Sequence, residues 1–553
     1  MPGRRRRRKK NGSKTTESQQ KGAIRGNAPR VTLDESKVYE VAIVGAGPCS
    51  LACASALLES TVQSSLQYDH TAKNRKGKLK SPLRKEDICI IDASGESWMA
   101  RWKSQFTMLK VPRLRSIMTH HPDSFSEDSL IEYAILKKNF SNLESCGEAI
   151  NGLFKEGSSR RLRRNAKRTV SRIRPVNNAT RYRFIRPSTS LYNDFCDSIV
   201  DKLQLENMVI KGTVTDVQTC CKDNDNEETT DVSEDSKTIL RVTLKSGASV
   251  LARSVVLAVG NTCIPRIPLW ARPCRNSADA AVHCVNTGKI QPSAAGLCEH
   301  TWEIAPKGMK YISNKVRGRR VLVVGGGLTA VQSSQMCANA GARRVVMMSR
   351  RTIAQRDFDV PVSWFGATSN AEMCAFWQTE DAETRYSIVK SVRGKPTVPN
   401  IVWREFVSDI ETKRCIHLME GFHVTEASWN ASAKCWNVVH QESPSSDGPS
   451  VEEAKSRTME FDYILLATGA VMSAKEHPLL GKIYAHSKPE GDVNGFPVLS
   501  EELRWNETDM QNLFVTGGYA ALQLGPVAAT LAGARKGALI LRDAIFSQIK
   551  RSK

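Results

Sequence analysis

The stretch VLVVGGGLTAVQSSQ, residues 321–335, has the pattern of an apolar strand, a glycine turn and the start of a helix. Gly325, Gly327 and Ala330 occupy the three small-residue positions of a dinucleotide-binding turn, which bend the chain, approach the pyrophosphate and pack the helix on the strand. A second apolar run, RRVVMMS, completes the strand–turn–helix–strand order within about 30 residues. The stretch therefore predicts a Rossmann-like unit that binds a dinucleotide.

The residues after the second strand indicate which nucleotide this unit binds. An acidic side chain at this point would accept hydrogen bonds from a ribose, but the chain has Ser349, Arg350 and Arg351. Guanidinium groups bind phosphate oxygens in pairs, which suits the additional 2′-phosphate of NADPH. We therefore predict NADPH rather than NADH, with Arg350 and Arg351 as phosphate-binding residues.

A similar unit begins earlier in the chain, at VAIVGAGPCSLACASALL, residues 41–58. Gly45, Gly47 and Ser50 take its small-residue positions, and the next apolar strand ends at Asp92, whose carboxylate can bind an adenosine ribose. Asp92 follows Gly47 by 45 residues, because a polar insertion at residues 67–87 separates them. An ordinary strand-end aspartate is the alternative interpretation. The sequence thus predicts two dinucleotide sites.

Small residues at three further strand ends point to the same two sites. The runs RSVVLAVG, DYILLATG and LFVTGG each end where a chain must cross closely over a bound dinucleotide. A long C-terminal helix is predicted to begin near Gly525, with its positive end towards a ligand; a helix that only docks is the alternative. The residues predicted to lie against the cofactors in these segments are Gly260, Thr468, Gly469, Gly517, Gly518 and Gly525.

These elements resemble, over residues 38–545, the flavoproteins with two dinucleotide-binding domains. Among them, the flavin-dependent N-hydroxylating monooxygenases of the ornithine and lysine type, together with related FAD/NAD(P)-binding oxidoreductases, are the most similar. Residues 107–134 resemble the family's substrate-side segment, residues 349–366 its arginine-rich strand end, and DYILLATG its Asp-x3-Leu-Ala-Thr-Gly pattern. The resemblance implies an α/β fold of two Rossmann-like domains, for FAD and NADPH, with the second inserted in the first.

The expected domain order follows from the resemblance and from composition. A disordered basic tail occupies residues 1–37, and the first part of the FAD-binding domain residues 38–305. The NADPH-binding domain, with substrate-side segments, covers residues 306–455, and the C-terminal part of the FAD-binding domain covers residues 456–553.

The chain departs from the family on the substrate side. The tyrosine that usually follows Ala-Thr-Gly is Ala470, the polar residue expected near the flavin is Leu109, and the F-x-G-x-x-x-H fingerprint of classical flavin-containing monooxygenases is missing, although His283 lies near the place of its histidine. The candidate substrate residues are Trp102, Gln105, Lys110 and Arg115; packing and surface charge are the alternative roles for each.

The implied activity is transfer of hydride from NADPH to FAD, followed by hydroxylation of a small amine-type substrate by a flavin hydroperoxide formed with molecular oxygen. A pyridine nucleotide–disulfide reductase would need a flavin-facing cysteine pair, and the sequence has no C-x-x-C. A flavin-binding regulatory protein, similar to the oxidative-stress-induced growth inhibitors, is the alternative that the arginine-rich tail favours.

Composition limits the other possibilities. The chain has 553 residues, a net charge of +23 and fifteen scattered cysteines, which suits a cytoplasmic protein with reduced thiols. Adjacent His120 and His121 would point to opposite faces of a strand, so no metal site is predicted. No transmembrane segment is expected. The arginine run at residues 4–8 resembles a nuclear import signal or a contact for an acidic partner, and a second basic block covers residues 160–175.

Overall fold

The computed structural model describes residues 33–59, 81–137, 143–145, 185–220, 238–260, 264–275, 297–366, 368–443 and 456–551. Residues 1–32 of the predicted tail, the basic block at residues 160–175 and His283 lie outside the described residues.

The strands of the described part are β1 (Val38–Val44), β2 (Ile88–Asp92), β3 (Leu143–Ser145), β4 (Ile185–Pro187), β5 (Val209–Lys211), β6 (Val214–Cys220), β7 (Ile239–Leu244), β8 (Ser249–Leu257), β9 (Cys298–His300), β10 (Arg320–Val324), β11 (Arg344–Ser349), β12 (Ala354–Gln355), β13 (Thr397–Val398), β14 (Ile416–Glu420), β15 (Phe422–Asn430), β16 (Cys435–Glu442), β17 (Arg457–Phe461), β18 (Tyr463–Leu466), β19 (Gly491–Val493), β20 (Phe496–Val498) and β21 (Leu513–Val515). The α-helices are α1 (Pro48–Leu58), α2 (Ala100–Met108), α3 (Ser129–Leu136), α4 (Thr189–Leu203), α5 (Thr301–Ile304), α6 (Gly308–Val316), α7 (Leu328–Asn339), α8 (Ser369–Gln378), α9 (Ala382–Arg393), α10 (Asn400–Lys413), α11 (Leu480–His486), α12 (Ala521–Leu524) and α13 (Leu531–Arg551).

The first unit of the fold is built on a sheet with the order β5-β2-β1-β8-β7-β6, in which β21 also pairs with β8. The strands β1, β2, β5, β8 and β21 are parallel, whereas β6, β7 and β8 pair antiparallel. Residues 41–44 are almost completely buried, as expected for a central parallel strand covered on both faces. Helix α1 follows β1 and packs against the C-terminal helix α13.

The second unit is built on an all-parallel sheet with the order β14-β11-β10-β18-β9. Helices α7 and α10 cover one face of this sheet, and the antiparallel sheet β15-β16-β17 packs on the other. The chain enters this unit after β8 and returns to the first sheet at β21. The predicted α/β fold, with one Rossmann-like unit inserted in the other, is thus the fold that the structure shows.

The second sheet extends beyond the predicted boundaries of residues 306 and 455. Strands β9 and β18 both pair into it, so the sheet covers residues 298–466. Strand β9 has only three residues, too few for a periodic pattern in the sequence. Strand β18 is followed by Ala-Thr-Gly, much as β8 is followed by Ala-Val-Gly. This similarity explains why the sequence alone predicts β18 as part of the first unit.

A segment between β12 and β13, residues 356–393, belongs to the second unit by sequence but packs against the first unit. We call it the bridging segment. Its Arg385 guanidinium donates a hydrogen bond to the Leu522 carbonyl (3.2 Å) in the first unit. The bridging segment therefore holds the two units together along one side. Its buried apolar residues in the core of the first unit are Val360, Trp364, Met373, Phe376 and Val389.

Candidate functional site

Each unit carries a glycine turn, and the two turns are built in the same way. Gly45 and Gly325 both have positive φ angles, of 113° and 155°. A Cβ atom on Gly45 would lie 2.5 Å from the Ala258 carbonyl oxygen, and one on Gly325 would lie 2.4 Å from the Ala467 carbonyl oxygen. Both alanines follow the strand next to the turn, β8 in one unit and β18 in the other. Glycine is therefore required at each position by the backbone angle and by the close crossing of a neighbouring chain.

The helix after each turn begins with free backbone N–H groups. Gly47 is the N-cap of α1 and Gly327 is the N-cap of α7, and neither helix start is capped by a side chain. The N–H groups of a first helical turn have no partner within the helix and attract anions. A Cβ atom on Gly47 would meet nothing within 4 Å, so the first turn leaves open space beside these N–H groups.

The strand-end residues Asp92 and Ser349 occupy equivalent positions. Ile91 pairs with Val44 and Met348 with Val324 in the two sheets, and each is followed directly by the strand-end residue. The Asp92 carboxylate accepts a hydrogen bond from the Ala46 N–H group (2.8 Å) and so supports the first turn from below.

In the second turn the same place is taken by a shorter side chain. A Cβ atom built on Gly326 would lie only 2.4 Å from the Ser349 Oγ atom, which is too close for a side chain at this position. This contact explains why the second turn has three consecutive glycines, whereas the first has Ala46 in the middle position.

A cavity of about 1330 Å³ lies between the two units, and both turns open onto it. We call it the central cavity. Most of the predicted site residues line it, although they come from segments far apart in the sequence. These are Gly45, Gly47, Asp92, Trp102, Gln105, Arg115, Gly260, Gly325, Gly327, Arg350, Arg351, Thr468, Gly469, Gly517 and Gly518.

Four predicted residues lie elsewhere. Ser50 and Ala330 are completely buried against Gly45 and Gly325, so they occupy the small-residue packing positions of α1 and α7. Lys110 is exposed and lines a separate cavity of about 170 Å³ beside α7 and α10. Gly525 is buried, where a Cβ atom would meet the Met373 Sδ atom at 3.2 Å.

The C-terminal helix begins later than the sequence suggests. Residues 525–527 form a short 3₁₀ turn, and α13 starts at Leu531. Gly525 has a φ of 72° and ends α12, so it cannot begin the long helix. The residues that precede and begin α13, 528–531, line the central cavity in its place.

The charge of the cavity lining is strongly positive. Arg350 and Arg351 follow β11, are exposed, and make no side-chain hydrogen bond or ion pair with the described residues. Lys395 also lines the cavity. Of the described lining residues, only Asp92 and Asp359 carry a carboxylate. The cavity is therefore suited to ligands that carry several negative charges.

The predicted substrate residues differ in how free they are. The Trp102 ring stacks on Phe106 with a centroid distance of 4.1 Å, and its Nε1 atom and the Gln105 amide nitrogen have no hydrogen-bond partner among the described residues. Arg115, by contrast, donates hydrogen bonds to the carbonyl groups of Arg356 (2.8 Å) and Phe358 (3.0 Å). Its guanidinium group ties the first unit to the bridging segment.

His477 is a cavity residue that the sequence did not reveal, because the surrounding KEHPLL has no recognisable pattern. Its Nδ1 atom accepts hydrogen bonds from the N–H groups of Leu479 and Leu480, both at 3.2 Å. Burial lowers the pKa of His477 to about 4. The imidazole is therefore neutral at pH 7, with its proton on Nε2.

The histidine pair and Cys49 lie in buried, largely apolar surroundings. His120 packs edge-on against Phe365, and His121 packs edge-on against Phe195. Cys49 lines the cavity beside the first turn, but burial raises the pKa of its thiol to about 11. Within the described ranges, no three His, Cys, Asp or Glu side chains are grouped as a metal site would need. None of the helices in these ranges combines the length and apolar character needed to cross a membrane.

No known family model matches the sequence, and no curated protein is similar enough to be matched. Solved structures do match. The ornithine N-hydroxylase of Kutzneria sp. 744, solved with reduced FAD, NADP⁺ and L-ornithine, is 15% identical, with a TM-score of 0.58 over 93% of this chain and 100% of that chain.

The cadaverine monooxygenase of desferrioxamine biosynthesis from Erwinia amylovora, bound to FAD, is 13% identical, with a TM-score of 0.55 over 92% of this chain and 95% of that chain. At this level of identity the matches establish the fold. The chain therefore shares with these two proteins the fold of two Rossmann-like units that the sequence predicts.

Proposed function

We propose that the protein is an FAD- and NADPH-dependent oxidoreductase, and specifically a monooxygenase that uses molecular oxygen to hydroxylate a small amine-type substrate. The observation that carries this proposal is that two equivalent glycine turns open onto one cavity. Two cofactors bound to these turns would meet, which a binding protein for a single nucleotide would not need.

The residues of the first turn fit FAD. Gly47 leaves room for the pyrophosphate beside the free N–H groups of α1. Asp92 is fixed at the strand end where an adenosine ribose binds in this fold. Gly517 and Gly518 line the same cavity on the side of β21, which gives the cofactor a path along the first sheet.

The residues of the second turn fit NADPH. Ser349 offers no carboxylate to a ribose, and Arg350 and Arg351 are available for a 2′-phosphate. Gly469 lies at the end of the chain that crosses the turn, in the position equivalent to Gly260 of the first unit. The two turns thus differ at the residues that distinguish an unphosphorylated from a phosphorylated ribose.

A flavin would supply hydride acceptance and oxygen activation when bound. The chain's own residues would position the reactants and exclude water. We propose that Trp102 and Gln105 donate hydrogen bonds from their unpartnered N–H groups to the substrate or the flavin edge. The neutral His477 side chain would form an uncharged part of the cavity surface beside the flavin ring. The two solved structures described above belong to enzymes whose names identify amines as substrates, which supports an amine here.

The test is a product assay. The full chain, reconstituted with FAD, is supplied with NADPH, oxygen and a panel of diamines and basic amino acids, and hydroxylamine products are quantified against NADPH consumed. We expect at least one amine to give a hydroxylated product that accounts for most of the NADPH. NADPH oxidation that yields hydrogen peroxide alone with every amine would contradict the monooxygenase proposal. A chain that takes up no FAD would contradict both the monooxygenase proposal and the flavin-binding regulatory alternative.

A further proposal concerns the basic N-terminal tail and the place in the cell where the protein acts. We propose that the protein acts in the cytoplasm and that residues 1–37 contact an acidic partner or an import receptor, because eleven of the first 30 residues are Lys or Arg. Deletion of residues 1–30 should leave NADPH oxidation unchanged and alter partner binding.

A further inference from the structure

The second glycine turn differs from the first in what lies against it. A short segment at residues 394–397, which we call the strap, connects α9 to β13. A Cβ atom built on Gly327 would lie 3.1 Å from the Pro396 Cβ atom, whereas one on Gly47 would meet nothing within 4 Å. The Cβ side of Gly47 in the first turn is therefore open, whereas the Cβ side of Gly327 in the second turn lies against Pro396.

Both ends of the strap are tied to the first unit. Arg115 donates hydrogen bonds to the Thr397 carbonyl (3.1 Å) and to its Oγ1 atom (2.8 Å). At the other end, Arg393 donates to the Pro526 carbonyl (3.0 Å). The strap thus crosses the second turn, and an arginine at each end connects it to the first unit. Arg115 belongs to the first unit and binds Thr397, whereas Arg393 precedes the strap and binds Pro526.

The middle of the strap lies at the surface. Residues 394–396 are exposed, and Gly394 has a φ of 61°, which makes it a natural point of rotation. Lys395 lines the central cavity between Pro396 and this glycine. A rotation about Gly394 is the change that would lift Pro396 from Gly327 while α9 keeps its hydrogen bonds to the first unit.

We propose that the strap is a gate of the second nucleotide site: Pro396 and the nucleotide pyrophosphate compete for the same face of Gly327, and Lys395 contacts the phosphates once the strap has lifted. This inference rests on the proposed function, since it concerns how NADPH reaches its site. In Rossmann turns the second glycine is the residue against which the pyrophosphate packs, and Pro396 occupies that side of it.

The gate has a measurable consequence for affinity. If the open state is a minor population, the apparent affinity for the nucleotide decreases by the fraction that is open. Minor states of this kind hold about 0.1–10% of the molecules. Removal of the proline ring should therefore raise the association rate and the affinity for NADPH, without any new contact to the nucleotide.

The test compares the full FAD-loaded chain with Pro396→Gly, with Lys395→Gln and with the control Pro82→Gly, which changes an exposed proline of the first unit outside the cavity lining. NADPH association is measured by anaerobic stopped-flow absorbance. We expect Pro396→Gly to associate roughly tenfold faster, Lys395→Gln to bind NADPH more weakly, and Pro82→Gly to match the wild type. FAD content reports whether each variant has folded.

Hydrogen exchange on the unmodified protein gives a second measurement. Addition of NADP⁺ should increase amide exchange in a peptide that contains residues 394–397. Equal association rates for wild type and Pro396→Gly, with slower exchange in the strap, would overturn the gate and leave the proposed function intact. Failure of both proteins to bind any nicotinamide nucleotide would overturn the gate and the proposed function together.

Discussion

At the level of single residues, the two turns share one backbone design but differ in their side chains. Asp92 and Ser349 occupy equivalent strand ends, and the middle residue of the turn next to each of them also differs between the two units. The Ala46 N–H group donates a hydrogen bond to the Asp92 carboxylate. Gly326 has no side chain and so leaves space for the Ser349 hydroxyl group. The middle residue of each turn and the strand-end residue therefore have to be read as a pair.

The first turn gives a test that separates folding from binding. Gly45→Ala should destabilise the protein by about 2–4 kcal/mol, because a Cβ atom would press on the Ala258 carbonyl group at an unfavourable backbone angle. Gly47→Ala should leave the stability of the apoprotein nearly unchanged and weaken FAD binding. Thermal unfolding and flavin titration measure the two effects. Tight FAD binding by Gly47→Ala would show that the open space beside Gly47 is not the pyrophosphate site.

The second turn gives a test of nucleotide preference. The double variant Arg350→Ala and Arg351→Ala should lose at least about tenfold in NADPH affinity, since charge-assisted hydrogen bonds to phosphate contribute about 1.5–3 kcal/mol each. NADH affinity should change little. Arg344→Ala, at the exposed start of β11, is the matched control. An equal loss for both nucleotides would assign the two arginines a structural role.

At the scale of elements, local pattern determined what the sequence could reveal. Both glycine turns, the strands around them and the arginines after β11 follow from short contiguous motifs, and the structure places them together. Strand β9 has three residues and gains its place only by pairing with β18. The start of α13 at Leu531 depends on Gly525 ending α12. His477 is fixed by hydrogen bonds to its own backbone neighbourhood, which no motif records.

The bridging segment provides the element-scale prediction. Arg115→Ala would remove several hydrogen bonds to half-buried carbonyl groups and the ion pair with Asp359 (2.9 Å), so we expect a loss of about 2–4 kcal/mol in the free energy of unfolding. Lys103→Ala, which removes an exposed ion pair with Asp197, should change stability by less than about 1 kcal/mol. Urea unfolding measures both. Similar values for the two variants would show that Arg115 does not hold the segment.

At the scale of the whole molecule, buried histidines make the fold sensitive to acid. Burial lowers the pKa of His120 to about 3 and the pKa values of His121, His300 and His477 to about 4, from an ordinary value of 6.5. The unfolded chain therefore binds protons between pH 6.5 and 4 that the folded chain does not. The stability that these neutral histidines contribute is fully present above pH 6.5 and is lost as the pH falls towards 4.

The expected slope is about 1.4 kcal/mol per pH unit for each histidine that remains neutral in the folded state. Urea unfolding at a series of pH values between 7 and 5 measures it, and His477→Gln should reduce the slope by about one proton. A midpoint that does not change over this range would show that these side chains become protonated without unfolding.

In the proposed function, two cofactors meet in the cavity between the units, so that electrons pass from one to the other. The most direct measurement is anaerobic mixing of the purified, FAD-loaded chain with NADPH, followed by the visible absorbance of the flavin. We predict that the flavin is fully reduced by one equivalent of NADPH and more slowly by NADH. A flavin that stays oxidised with bound NADPH, or a chain that takes up no flavin, would contradict the claim.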